Sequence, residues 1–139
     1  MPTNTEQEFK VITGEKDDTI IVLLLGQIRS QEIPKLEELE KFLLEKPLHS
    51  VIISFRDVAQ FLPATHATWA KVQETLRKAG KLITLCSFKP DIKAKLIQAG
   101  IIMESETFNN IPDSWKALKT RLNDPQASAT AEVSEKKAA

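Results

Sequence analysis

"SVIISFRDVAQFLPATHATWAKVQETLRKAGKLITL" spans residues 50–85, and the way it divides decides the fold. Its opening, "SVIISF" (50–55), is apolar and β-branched, as a short buried strand should be. "ATWAKVQETLRKAG" (67–80) sets Trp69, Val72 and Leu76 at spacings of three and four, which puts them on one helix face, with Gly80 as its stop. "KLITLCSF" (81–88) is apolar again. Strand, helix, strand is the repeating unit of a parallel sheet. Between the first strand and the helix lies "FLPATHAT" (61–68), where α/β domains often place their chemistry. It offers two threonines, a histidine and a proline, but no acid, serine or glycine.

The pattern continues on both sides. Downstream, "PDIKAKLIQAG" (90–100) reads as a short helix opened by Pro90 and closed by Gly100, and "IIMES" (101–105) as a last strand. "NIPDSWKALKTRL" (110–122) is a helix with Trp115, Leu118 and Leu122 on one face and an Asn110/Asp113 N-terminal cap. Upstream, "QEIPKLEELEKFLLEK" (31–46) repeats Ile33, Leu36, Leu39, Phe42 and Leu43 at helical spacing, with Ser30 as its N-cap and Pro47 beyond its end. "TIIVLLLGQI" (19–28) is apolar enough for a strand covered on both faces. With "EFKVIT" (8–13) and the polar turn "EKDD" (15–18) it forms a β-hairpin.

The expected architecture is α/β: a small mixed sheet with an N-terminal hairpin and about four helices. Residues 1–5 are expected to be a flexible N-terminus, 6–123 the domain and 124–139 a disordered tail. After Pro125 only Val133 is a sizeable apolar side chain, too little to offset the entropy of ordering.

Composition narrows the function. Lys+Arg and Asp+Glu are both 19 in 139 residues, so no net charge favours nucleic acid or an anionic membrane. No apolar run approaches the roughly 20 residues of a spanning helix, and "MPTNTEQEFK" lacks the features of a secretory signal. A cytoplasmic location is expected from these absences. A single cysteine, Cys86, excludes an internal disulfide and a multi-cysteine metal site. Its apolar neighbours, with nothing basic beside it, argue against a nucleophile. Neither a metal nor a cofactor is expected, because no ligand spacing or Gly-rich phosphate loop occurs.

The motifs "FRDV", "LRKAGKLITL", "KPDI" and "IQAGI", in that order and spacing, resemble those of the STAS domain. This is the family of bacterial anti-sigma-factor antagonists and sulfate-transporter tails, and the resemblance covers Phe9 to about Leu122. It implies a regulatory module in signal transduction that acts by protein–protein interaction. In that family an Asp-Ser-Ser/Thr-Gly turn precedes the helix and carries the phosphorylated serine. Counted from "FRDV", the resemblance puts its Asp at Leu62, its first Ser at Pro63, its phosphoacceptor at Ala64 and its Gly at Thr65. Alanine has no hydroxyl, so the phosphate switch is absent at Ala64.

The remaining residues of the turn have alternative readings. Thr65 either caps the helix by accepting from the backbone N–H of Ala67 or Thr68, or has become a displaced phosphoacceptor, as has Thr68. His66 reads as an exposed surface histidine without an orienting partner, and His49 carries less weight. Trp69 belongs either to the core face or to an outward anchor beside Phe61, Leu62 and Pro63. The expected function is a non-catalytic module docking a partner through Phe61, Leu62, Pro63, Ala64, Thr65, His66, Thr68 and Trp69. By resemblance that partner is an anti-sigma factor, a serine-kinase-like regulator, or a larger signalling or transport assembly. A small-ligand sensor for nucleotide or lipid is the alternative class, an enzyme ranks lowest, and a homodimer is compatible with each.

Overall fold

A computed structural model describes residues 9–122. The expected flexible N-terminus at 1–5 and disordered tail at 124–139 lie outside the described residues, as does the side chain of Leu122. The strands are β1 (Lys10–Lys16), β2 (Thr19–Ile28), β3 (Ser50–Phe61), β4 (Leu82–Cys86) and β5 (Thr107–Phe108). The helices are α1 (Ile33–Glu45), α2 (His66–Lys78), α3 (Pro90–Gln98) and α4 (Ile111–Leu122). Short 3₁₀ turns occupy Ser30–Glu32, Pro63–Thr65 and Glu104–Glu106. The sheet runs β1-β2-β3-β4-β5, with β1 antiparallel to β2 and every later pair parallel. This is the mixed α/β architecture the sequence called for.

The strand order never reverses. Right-handed crossovers that always step in one direction leave their helices on one side of the sheet. Accordingly α1, α2 and α3 share one core, where Leu36, Leu39, Leu43, Trp69, Val72, Leu76, Ile92 and Leu96 meet Ile20, Val22, Leu24, Val51, Ile53 and Phe55. Among the described residues the other face receives α4 alone, packed by Leu118 against Ile52 and Cys86. By the described residues β2 is therefore fully covered on one face only. Its opposite row, Ile21, Leu23 and Leu25, is half-buried rather than enclosed.

Several boundaries differ from the sequence expectation, each for a physical reason. The hairpin turn is tighter, because Asp17 (φ 48°) and Asp18 (φ 67°) adopt the left-handed conformations of a two-residue turn. This lets β1 pair from Lys10 to Lys16. Ser30 does not cap α1 but opens a 3₁₀ turn without a side-chain cap. The segment 101–105 is not a strand. Gly100 (φ 74°) ends α3, and the Ile101 N–H turns back to the Leu96 carbonyl at 2.9 Å. Gln73 Nε2 then donates to the Ile101 carbonyl at 2.7 Å, so this backbone is committed elsewhere, while Ile102 is buried. β5 forms later. The Asn110 cap is present, its Oδ1 accepting from the Asp113 N–H at 2.8 Å.

Cys86 is buried at the end of β4, and burial pushes its thiol pKa up. The thiol should therefore resist alkylation by iodoacetamide at neutral pH in the folded chain and react once urea unfolds it. Rapid labelling of the folded chain would contradict this.

Candidate functional site

β3 continues six residues past Phe55, and this extension builds the site. Val58 and Phe61 are buried, whereas Arg56, Asp57, Ala59 and Gln60 face solvent. Pairing with β2 slips between Leu23 and Leu25 and again between Gly26 and Gln27, so β3 carries the extra residues of two bulges. Lys89 pins this irregular stretch, its Nζ donating to the carbonyls of Arg56 at 3.2 Å and Val58 at 2.9 Å. The Leu62 N–H then donates to the Ile28 carbonyl at 3.0 Å, tying the turn to the end of β2.

Beneath the turn lies an aromatic cluster. The Phe55 ring stacks on Phe88 at 4.2 Å and on Phe61 at 6.0 Å, and Trp69 meets it edge-on at 5.6 Å. Phe61 also touches Trp69 at 6.1 Å and His66 at 5.5 Å, both edge-on. Such pairs add about 0.5–1.5 kcal/mol beyond their area.

These contacts sort the sequence candidates. Leu62 (37% exposed), Pro63 and Ala64 form an exposed apex. His66 and Thr68 are half-buried beside it. Phe61 (7% exposed), Thr65 and Trp69 (both 0%) are buried beneath it. These last three present almost no surface to solvent in the folded domain. Trp69 is a core residue, as its spacing with Val72 and Leu76 indicated; its indole N–H has no hydrogen-bond partner among the described residues.

Thr65 sits at the N-cap position of α2 without a side-chain cap bond, and its hydroxyl is buried. Its Oγ1 donates backwards to the Leu62 carbonyl at 2.7 Å, alongside its own N–H at 3.0 Å, and α2 has no side-chain cap. With φ −102°, Thr65 also occupies an ordinary backbone conformation, so the turn does not require glycine there. His66 is less exposed than expected. Its Nε2 lies 3.3 Å from the Phe61 carbonyl, which can only accept, so the proton sits on Nε2.

Sequence reading missed the groups that brace the apex. Lys89 is one. The others are Arg29 and Lys35, which hold the buried carboxylate of Glu32 at 3.1 and 3.7 Å in the turn beside Pro63–Thr65. The spacings Arg29-x-x-Glu32-x-x-Lys35 were visible in the sequence, but their place against the apex was not. Among the described residues no group of three or more His, Cys, Asp and Glu side chains converges as metal ligands would. None of their helices is long and apolar enough to cross a membrane.

No family model and no curated protein matches this sequence. Solved structures do match. One is an anti-sigma factor antagonist from Mycobacterium paratuberculosis, 15% identical over 81% of this chain and 96% of that one, with a TM-score of 0.71. Another is Moorella thermoacetica RsbS carrying a serine-to-glutamate substitution, 16% identical over 83% and 99%, at 0.72. A sulfate transporter family protein from Wolinella succinogenes is 17% identical over 80% and 93%, at 0.69.

The two threonines should respond to glutamate to very different degrees. Thr65→Val removes one hydrogen bond and should cost about 1 kcal/mol, and Thr65→Glu, which buries a charge, more than about 3 kcal/mol. Thr68→Glu, half-buried in the first turn of α2, should stay within about 1 kcal/mol of the parent. Urea unfolding followed by circular dichroism measures all three, and equal effects of glutamate at both positions would contradict the assignment.

Proposed function

The described chain has the STAS fold, and from that premise we propose that it is a non-catalytic regulatory module that binds a partner protein through the apex Leu62–Pro63–Ala64, with His66 and Thr68 at its flank. The observation that carries this reading is a small apolar apex seated over an aromatic base, with the Leu62 N–H bonded to the Ile28 carbonyl and the Thr65 N–H to the Leu62 carbonyl. An apex ordered in advance loses little entropy on docking. Leu62 supplies the apolar contact, and Arg56 and Asp57 on the β3 extension add charge at the rim.

The partner is an anti-sigma factor or serine-kinase-like regulator, or a larger signalling or transport assembly. The similarity to an anti-sigma factor antagonist and to a sulfate transporter family protein supports that range. Binding is constitutive, because Ala64 presents only a methyl group at the apex. A relocated phosphate switch would fall to Thr68, whose side chain is partly accessible. The reading includes a cytoplasmic location and no catalytic step.

The test is capture from a native lysate with the full chain as bait, repeated with Leu62→Asp and Ala64→Arg. Both variants alter exposed side chains, so the melting temperature should hold while the captured partner is lost by about tenfold or more. Capture that both variants leave unchanged would place the interface elsewhere.

A further inference from the structure

The one-way strand order leaves a consequence on the far side of the sheet. α4 covers β3 and β4 there, but no helix among the described residues covers β1 and β2. The uncovered surface is apolar. Ile12 (51% exposed) pairs directly with half-buried Leu23, and Leu25 and Ile21 continue the row. Ile21 lies opposite Gly14, where an added Cβ would meet nothing within 4 Å. Between this row and α4 runs a cleft of about 530 Å³, bounded by Ile21, Ile111, Pro112 and Trp115.

The dimensions match a missing helix. Two strand spacings of about 4.8 Å equal one interhelical distance of about 8–10 Å. A helix lying beside α4 would therefore rest over β1 and β2.

The rim of this cleft is cationic. Lys16, Lys116 and Lys119 line it with Ile21 and Trp115, and no acidic side chain does. The Lys16 and Lys119 ammonium groups sit 5.6 and 5.3 Å from the centre of the Trp115 ring. None of the three lysines has a carboxylate partner among the described residues. Glu15, the nearest acid on β1, pairs with Lys46 instead.

We propose that this face docks an amphipathic helix of a partner protein, its apolar stripe on Ile12, Ile21 and Leu23 and its acidic flank against Lys16, Lys116 and Lys119. A second copy of this chain would bring a matching set of lysines to the same rim, and like charges oppose that. Residues 123–139 hold one sizeable apolar side chain, Val133, and cannot supply the stripe. The inference concerns a different face from the Leu62 apex and does not rest on it.

The test uses a fluorescent peptide with leucines at helical spacing and glutamates between them, titrated into the full chain and read by anisotropy. A second peptide replaces every glutamate by lysine. Saturable binding of the acidic peptide alone is expected. It should weaken about tenfold or more in a Lys116→Glu/Lys119→Glu variant and in Ile12→Asp, whose exposed site tolerates the change, and should survive Leu62→Asp intact. No saturable binding, equal binding of both peptides, or indifference to Ile12→Asp would overturn the proposal. Self-association of the chain that Ile12→Asp abolishes would assign the face to a second copy and overturn it as well.

Discussion

Phe55 lies where three other rings converge. Phe61 and Phe88 stack on it and Trp69 meets it edge-on, so the end of β3, the start of α2 and the loop after β4 share one aromatic base. Phe61 can reach that base only if β3 runs on past Phe55, and two bulges make up the length. Once Phe61 is buried, Leu62 must emerge, because the chain then turns through Pro63 and Ala64 into α2. The exposure of the apex thus follows from the burial beneath it. Lys89 and the Leu62 N–H satisfy or use the backbone groups that the bulges would otherwise leave unpaired.

The second organising constraint is handedness. A sheet ordered β1-β2-β3-β4-β5 with right-handed crossovers has one richly covered face and one sparsely covered face. The sparse face shows in the burial of β2, enclosed at Ile20, Val22 and Leu24 but half-open at Ile21 and Leu23. Apex and open face use different chemistry. One is a compact apolar tip, the other a broad apolar floor with lysines along its rim.

Much of this was legible in the sequence because its signals are periodic. Leu36, Leu39 and Leu43 define α1, and Trp69, Val72 and Leu76 define α2 and place Trp69 in the core. Gly80 and Gly100, with φ of 86° and 74°, mark the helix ends as glycines should. The second half of β3 was not legible. Arg56, Asp57, Ala59 and Gln60 are exposed, and Val58 and Phe61 recur at a spacing that bulges create and no regular strand shows. β5 is two residues long, too short to carry a period, while Ile101 and Ile102 imitate a strand but serve a helix end. Thr65 shows a different limit. A threonine before a helix suggests a cap, and only coordinates reveal that its hydroxyl donates backwards under an apolar lid.

Burial of Phe61 and Thr65 beneath the apex is what should hold the turn in place. Hydrogen exchange at the Leu62 and Thr65 amides measures this directly, since both N–H groups are engaged, one by Ile28 and one by the Leu62 carbonyl. Protection close to that of the β3 core, lost at both positions in Phe55→Ala, is the expected result. Exchange as fast as in an unstructured peptide would show that the apex is not held, and the account would fail.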